Sequence, residues 1–121
     1  MTDATEIRLS AGYTELRGSL LDVPAAGDFA ALLPLTVTAT DHAGTEKVSD
    51  LPARLSIDGS PPGTTVRAGD ICFRAPWGNL AIFYRDFRYS PGLVRIGRFD
   101  TGVEQLPALS GAVSLTIAAA T

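Results

Sequence analysis

Six of the nine aromatic residues and three of the nine arginines in this chain of 121 residues fall between Phe73 and Tyr89, in the run FRAPWGNLAIFYRDFRY. A guanidinium offers paired N–H donors to a carboxylate or another anion, and an aromatic face beside it supplies a stacking platform. Arg74, Trp77, Tyr84, Arg85 and Arg88 are therefore the candidate binding residues, and the matching ligand is a peptide or a small anion. Trp77 stands out because it falls in a turn, where a large indole either folds back over the core or serves as a contact. Arg95 and Arg98 join the set if neighbouring strands bring their outward faces together. The competing role of the same aromatics is packing: Phe73, Phe83 and Phe99 lie in β-favouring runs, where rings fill a core and pair across strands.

Other reactive types point to no centre. The lone Cys72 lies in mid-strand in GDICF and reads as a buried, inert thiol; with only His42 beside it there is neither a disulfide nor a Cys/His zinc set. His42 follows Asp41 at the start of a polar loop, and no GxSxG nucleophile turn occurs. Asp58, Asp70, Asp86 and Asp100 each border a turn or strand end, where aspartate bonds nearby backbone. No metal, phosphate or cofactor motif is present, so neither metal nor cofactor is expected.

Composition narrows the classes. The formal net charge is -3, which argues against a protein built to neutralise nucleic-acid phosphates. The charge is uneven: residues 1–50 hold eight acids against Arg8, Arg17 and Lys47, whereas residues 51–121 hold five acids against seven arginines. The start, MTDATEIRLS, lacks the basic and apolar regions of a secretory leader, and no apolar run approaches the length of a membrane span. A cytoplasmic, membrane-free setting is expected.

The elements that must position these residues are mostly strands. Ile7 and Leu9, then Leu35, Val37 and Ala39, then Val113, Leu115 and Ile117 alternate with polar neighbours, the period of half-buried strands. A short helix is expected between two early strands, over residues 13–40, with Asp22 as cap, Pro24 in the first turn, Phe29, Leu32 and Leu33 on one face, and Pro34 as the stop. Residues 41–68 are rich in turn residues and read as long loops around one edge strand or short helix, with SPPG marking a loop or exposed edge. Residues 70–75 and 80–84 form a hairpin across Pro76–Asn79, and the chain turns again at SPG into LVRIGRF. A helical turn near Val103 to Leu106 precedes the last strand. The sum is one domain over residues 1–121 with its core in 5–118: all-β, a closed barrel of about eight strands with one or two short helices, because closure hides strand edges.

The runs AGDICFRAPWGNLAIFYRDFRYSPGLVRIGRFDTG and DFAALLPLTVTATDHAGTEKVSDLP resemble the small bacterial cyclophilin-like family, over roughly residues 5–118. The resemblance implies a minimal cyclophilin-type barrel and no assigned activity. The FHR and QGGD-type segments of cyclophilin prolyl isomerases have no counterpart here: Phe73-Arg74 and Gly69-Asp70 are the nearest approaches. The expectation is a small peptide- or ligand-binding module. The alternatives are a remodelled prolyl isomerase using Arg74 or Arg85 against the twisted amide, or a structural, oligomerising domain that buries the Trp77 turn.

Overall fold

Alternating apolar residues become the staves of a barrel. The structure, a computed structural model, describes residues 5–120; residues 1–4 and 121, which include the first part of the segment read as lacking a leader, lie outside it. In chain order the elements are β1 (Thr5–Ala11), β2 (Thr14–Leu20), α1 (Pro24–Ala31), β3 (Leu35–His42), β4 (Glu46–Asp50), β5 (Gly63–Val66), β6 (Asp70–Arg74), β7 (Asn79–Phe83), β8 (Phe87–Pro91), β9 (Leu93–Thr101), a short 3-10 helix (Val103–Ala108) and β10 (Val113–Ala119). Eight strands close antiparallel in the order β1-β10-β3-β4-β7-β6-β9-β2, while β5 and β8 form a separate ribbon. The fold is thus the mainly β closed barrel with two short helices that the patterning predicts. Among the described residues no helix is long and apolar enough to cross a membrane.

The inward residues of each stave fill the barrel. Ile7 and Leu9 of β1, Leu16 and Leu20 of β2, Phe73 of β6, Leu80 and Ile82 of β7, Phe99 of β9, and Leu115 and Ile117 of β10 are all buried in one cluster. Each such side chain contributes about 1.5–3 kcal/mol through removal from water. Helix α1 adds Ala25, Ala26 and Phe29 to this core. At the closure between β2 and β9 the backbones approach so tightly that a Cβ on Gly18 would lie 1.9 Å from the Arg98 carbonyl oxygen, so only glycine fits there.

A second apolar cluster lies outside the wall. Cys72, Ala81 and Phe83 point away from the interior, and Val66, Leu93, Val48 and Phe87 pack with them. The β5–β8 ribbon therefore covers the outer face of the β4-β7-β6-β9 staves, with the Phe83 and Phe87 ring centroids 6.0 Å apart. Phe73 and Phe83 are fully buried, Tyr84 and Phe87 half-buried, and Trp77 and Tyr89 exposed. The aromatic run is thus divided between two cores and the surface.

Three local expectations change. Asp22 does not cap α1: the capping position is Val23, with no side-chain bond to the first turn, and Pro24 begins the helix. The helix ends at Ala31, so Leu32 is its C-cap and Leu33 lies beyond it. The region 41–68 holds two strands, of which β4 is an internal stave between β3 and β7. Its pattern hid this because Lys47 and Ser49 take the inward positions, opposite Ile82 and Leu80, while Glu46 is buried on the outer face.

Candidate functional site

The best-formed concavity lies where three segments meet. Leu21, Val23 and Pro24 at the exit of β2, residues 58–64 leading into β5, and Leu93–Arg95 of β9 enclose a groove of about 370 Å³ with mostly apolar walls. Backbone bonds set these walls: the Leu21 N–H donates to the Ile96 carbonyl at 2.8 Å and the Gly92 N–H to the Pro62 carbonyl at 2.8 Å. The Ser56 N–H donates to the Asp28 carboxylate at 2.7 Å and ties the loop before residues 58–64 to α1. Leu21 and Val23 remain exposed, an apolar pair that faces a cavity instead of the core. A groove of this size with apolar walls and few polar groups has the form of a small-ligand site.

One charge of each sign lines it, Asp58 and Arg95. Arg95 belongs to a charged layer on the outer barrel face. Its Nη1 lies 3.9 Å from Asp70, beyond hydrogen-bond reach, and its side chain is 47% exposed. Asp70 is fully buried and already occupied: the Arg98 guanidinium donates to Oδ1 at 3.3 Å and the Arg67 N–H to Oδ2 at 2.9 Å. Gly69, at φ 101°, makes the sharp bend that sets Asp70 at the start of β6; a Cβ there would lie 2.5 Å from the Phe99 carbonyl oxygen. The contact to Asp70 thus leaves most of the Arg95 donors unused.

The five residues singled out in the aromatic run do not gather at one site. Arg74, at the end of β6, donates from Nη2 to Glu46 Oε1 at 2.5 Å, and this carboxylate is buried. Trp77 is 75% exposed in the β6–β7 turn and shares a shallow polar cleft with Arg54 and Asp50. Tyr84 and Arg85 follow the other end of β7, a five-residue strand that spans roughly 17 Å. Arg85 lies over the Tyr84 ring, 6.0 Å from its centroid, and Arg88 over Phe87 at 4.9 Å. Arg74, Arg95 and Arg98 do share the outer face, together with Asp70 and Cys72. Burial, then the Asp70 charge, pushes the Cys72 thiol up to about 12, which leaves it unreactive.

At the mouth formed by β3, β4 and the end of β7, Lys47 is buried and its ammonium donates to the Leu109 carbonyl. Asp41 lies 3.4 Å away and the Tyr84 ring 5.8 Å away. Tyr84 Oη also donates to Asp41, and this bond, first among several causes, holds the Asp41 carboxyl below its ordinary value. Burial, helped by the same bond, pushes the Tyr84 hydroxyl up to about 12. This cluster ties the segment after the 3-10 helix to the barrel. Among the described residues no group of three His, Cys, Asp or Glu side chains is placed to hold a metal ion.

The residues that sequence reasoning missed are Leu21, Val23, Asp58 and Thr64, which meet only in space. The one local signal was LLDVP, an apolar pair at a strand exit with no core periodicity of its own.

Comparison with known proteins agrees with this architecture. The profile of a group described as the cyclophilin-like family matches residues 9–118. The chain is similar to the solution structure of a hypothetical protein from Archaeoglobus fulgidus, with 18% identity, a TM-score of 0.75, and coverage of 97% of this chain and 95% of that one. At that identity the likeness shows the fold alone. No curated protein matches the chain.

Proposed function

We propose, from the premise that this chain belongs to the cyclophilin-like family, that it is a binding module whose groove between β2, β5 and β9 takes a peptide or small anionic ligand. The observation that carries this reading is Arg95: an arginine at an apolar groove whose one ion-pair partner among the described residues, Asp70 at 3.9 Å, is already held by other donors. An apolar group seated against Leu21, Val23 and Leu93 supplies burial, and a carboxylate on Arg95 supplies orientation. Arg74 is less suited because Glu46 takes its guanidinium, and Arg85 because it lies over the Tyr84 ring and does not line this groove.

A second reading, prolyl isomerisation, draws on the same placement, since an arginine beside an apolar pocket can stabilise a distorted amide electrostatically. One experiment separates the two. In amide-resolved NMR of the labelled protein, N-acetyl-leucine and an Ala-Pro peptide are expected to shift Leu21, Val23 and Leu93 to Arg95 without accelerating the cis/trans exchange of the peptide. Accelerated exchange that Arg95→Ala abolishes would establish the enzyme instead. Shifts confined to Trp77 or Arg88 would move the site elsewhere.

A further inference from the structure

We infer that the groove receives the C-terminal residues of an extended peptide, which adds to β5 as a third strand of the ribbon and sets its terminal carboxylate on Arg95. This inference rests on the ligand-binding reading above and specifies its ligand.

The ribbon supplies the first argument. Among the described residues strand β5 is hydrogen-bonded only to β8, so one of its edges has no strand partner there. Gly63 and Thr64 of that strand also line the groove. Unpaired N–H and C=O groups beside a cavity are a template for an incoming strand, and main-chain pairing with pockets for alternate side chains is a recurring mode of peptide recognition. Pro61 and Pro62 precede β5 and offer no donors, so pairing is confined to residues 63–66, enough for three or four ligand residues.

The opposite wall supplies the second. An extended ligand points every other side chain the same way, and the surface it meets across from β5 is Leu21, Val23 and Leu93. A small aliphatic side chain in the last ligand position fits that wall. Charge supplies the third. Arg95 attracts one carboxylate, whereas Asp58 on the same groove repels a second and accepts from an amide or amine. A chain terminus has this pattern without further side chains: one acid at its end and N–H donors behind it.

The test uses the full chain, labelled with 15N, and four probes: N-acetyl-leucine, the peptide acetyl-Ala-Val-Thr-Leu with a free carboxyl, its C-terminal amide, and the free acid with its Thr and Leu nitrogens methylated. The free acid is expected to bind at least about 10-fold tighter than N-acetyl-leucine, with cross-strand contacts between its backbone and Thr64 to Val66. Amidation and Arg95→Ala should each lose about 10-fold, without adding in combination, because they remove the two halves of one contact. Methylation should return the affinity to that of N-acetyl-leucine. If N-acetyl-leucine shifts the groove but the peptide binds no tighter, or binds without contacts to β5, strand addition is overturned while the groove reading stands. Equal binding of acid and amide overturns recognition of the terminus. Silence of the groove to all four probes overturns both readings together.

Discussion

The outer face of the barrel buries two carboxylates and treats them differently. Among the described residues Glu46 has one ionic partner, Arg74, at 2.5 Å. Asp70 has three donors around it: Arg98 at 3.3 Å, the Arg67 N–H at 2.9 Å, and Arg95 only at 3.9 Å. A closed pair uses its arginine up, because desolvating the carboxylate requires the guanidinium to stay. A shared carboxylate can keep its charge compensated while one arginine turns to a ligand. The difference explains why Arg95, and not Arg74, is the binding residue proposed here, although both sit on one face.

The largest expected effect tests the closed pair. Arg74→Met removes the one ionic partner that a buried carboxylate has among the described residues and should destabilise the fold by about 3 kcal/mol at neutral pH, read by denaturant unfolding. A deficit below about 0.5 kcal/mol would show that Glu46 does not depend on Arg74.

The shared carboxylate should respond less. Arg98→Ala leaves Asp70 with Arg95 and the Arg67 N–H, and Arg98 is 46% exposed, so water screens much of what it contributes. The expected loss is about 1 kcal/mol or less. A loss equal to that of Arg74→Met would erase the distinction between the two carboxylates and with it the argument that Arg95 is spare.

The same comparison shows what could be read from the chain alone. Strands whose inward positions are uniformly apolar, such as Ile7 and Leu9 or Leu115 and Ile117, are legible because burial imposes period two on one strand by itself. Strand β4 is not, since Lys47 is tolerated inside only through Leu109 and Asp41, residues remote in sequence or across a strand pair. The clustering of Arg74, Trp77, Tyr84, Arg85 and Arg88 in sequence is similarly a poor guide to space, because a hairpin sends its turn and its ends in opposite directions. The groove, assembled from residues 21–24, 58–64 and 93–95, has no contiguous signature at all. The family resemblance reached the barrel because it spans the chain, and although its run includes Leu93 to Arg95 it assigned none of the groove residues a role.

The smallest effect concerns a third carboxylate, Asp41, which is exposed where the other two are buried. Its value lies below 3.8 chiefly through the Tyr84 hydroxyl, so the folded state favours the ionised form. That contribution is present above pH 3.8 and is lost as pH falls through the depressed folded value. Tyr84 works in the opposite sense: its folded value is raised to about 12 from 10.0, so its contribution is present below pH 10 and is lost as pH rises toward 12. Tyr84→Phe should therefore move the Asp41 midpoint up toward 3.8 in a carboxylate NMR titration and remove the alkaline loss of stability. An unmoved midpoint would mean that Lys47 and the Gly44 N–H, not the tyrosine, hold Asp41 ionised, and that the mouth of the barrel is fastened by its buried ammonium alone.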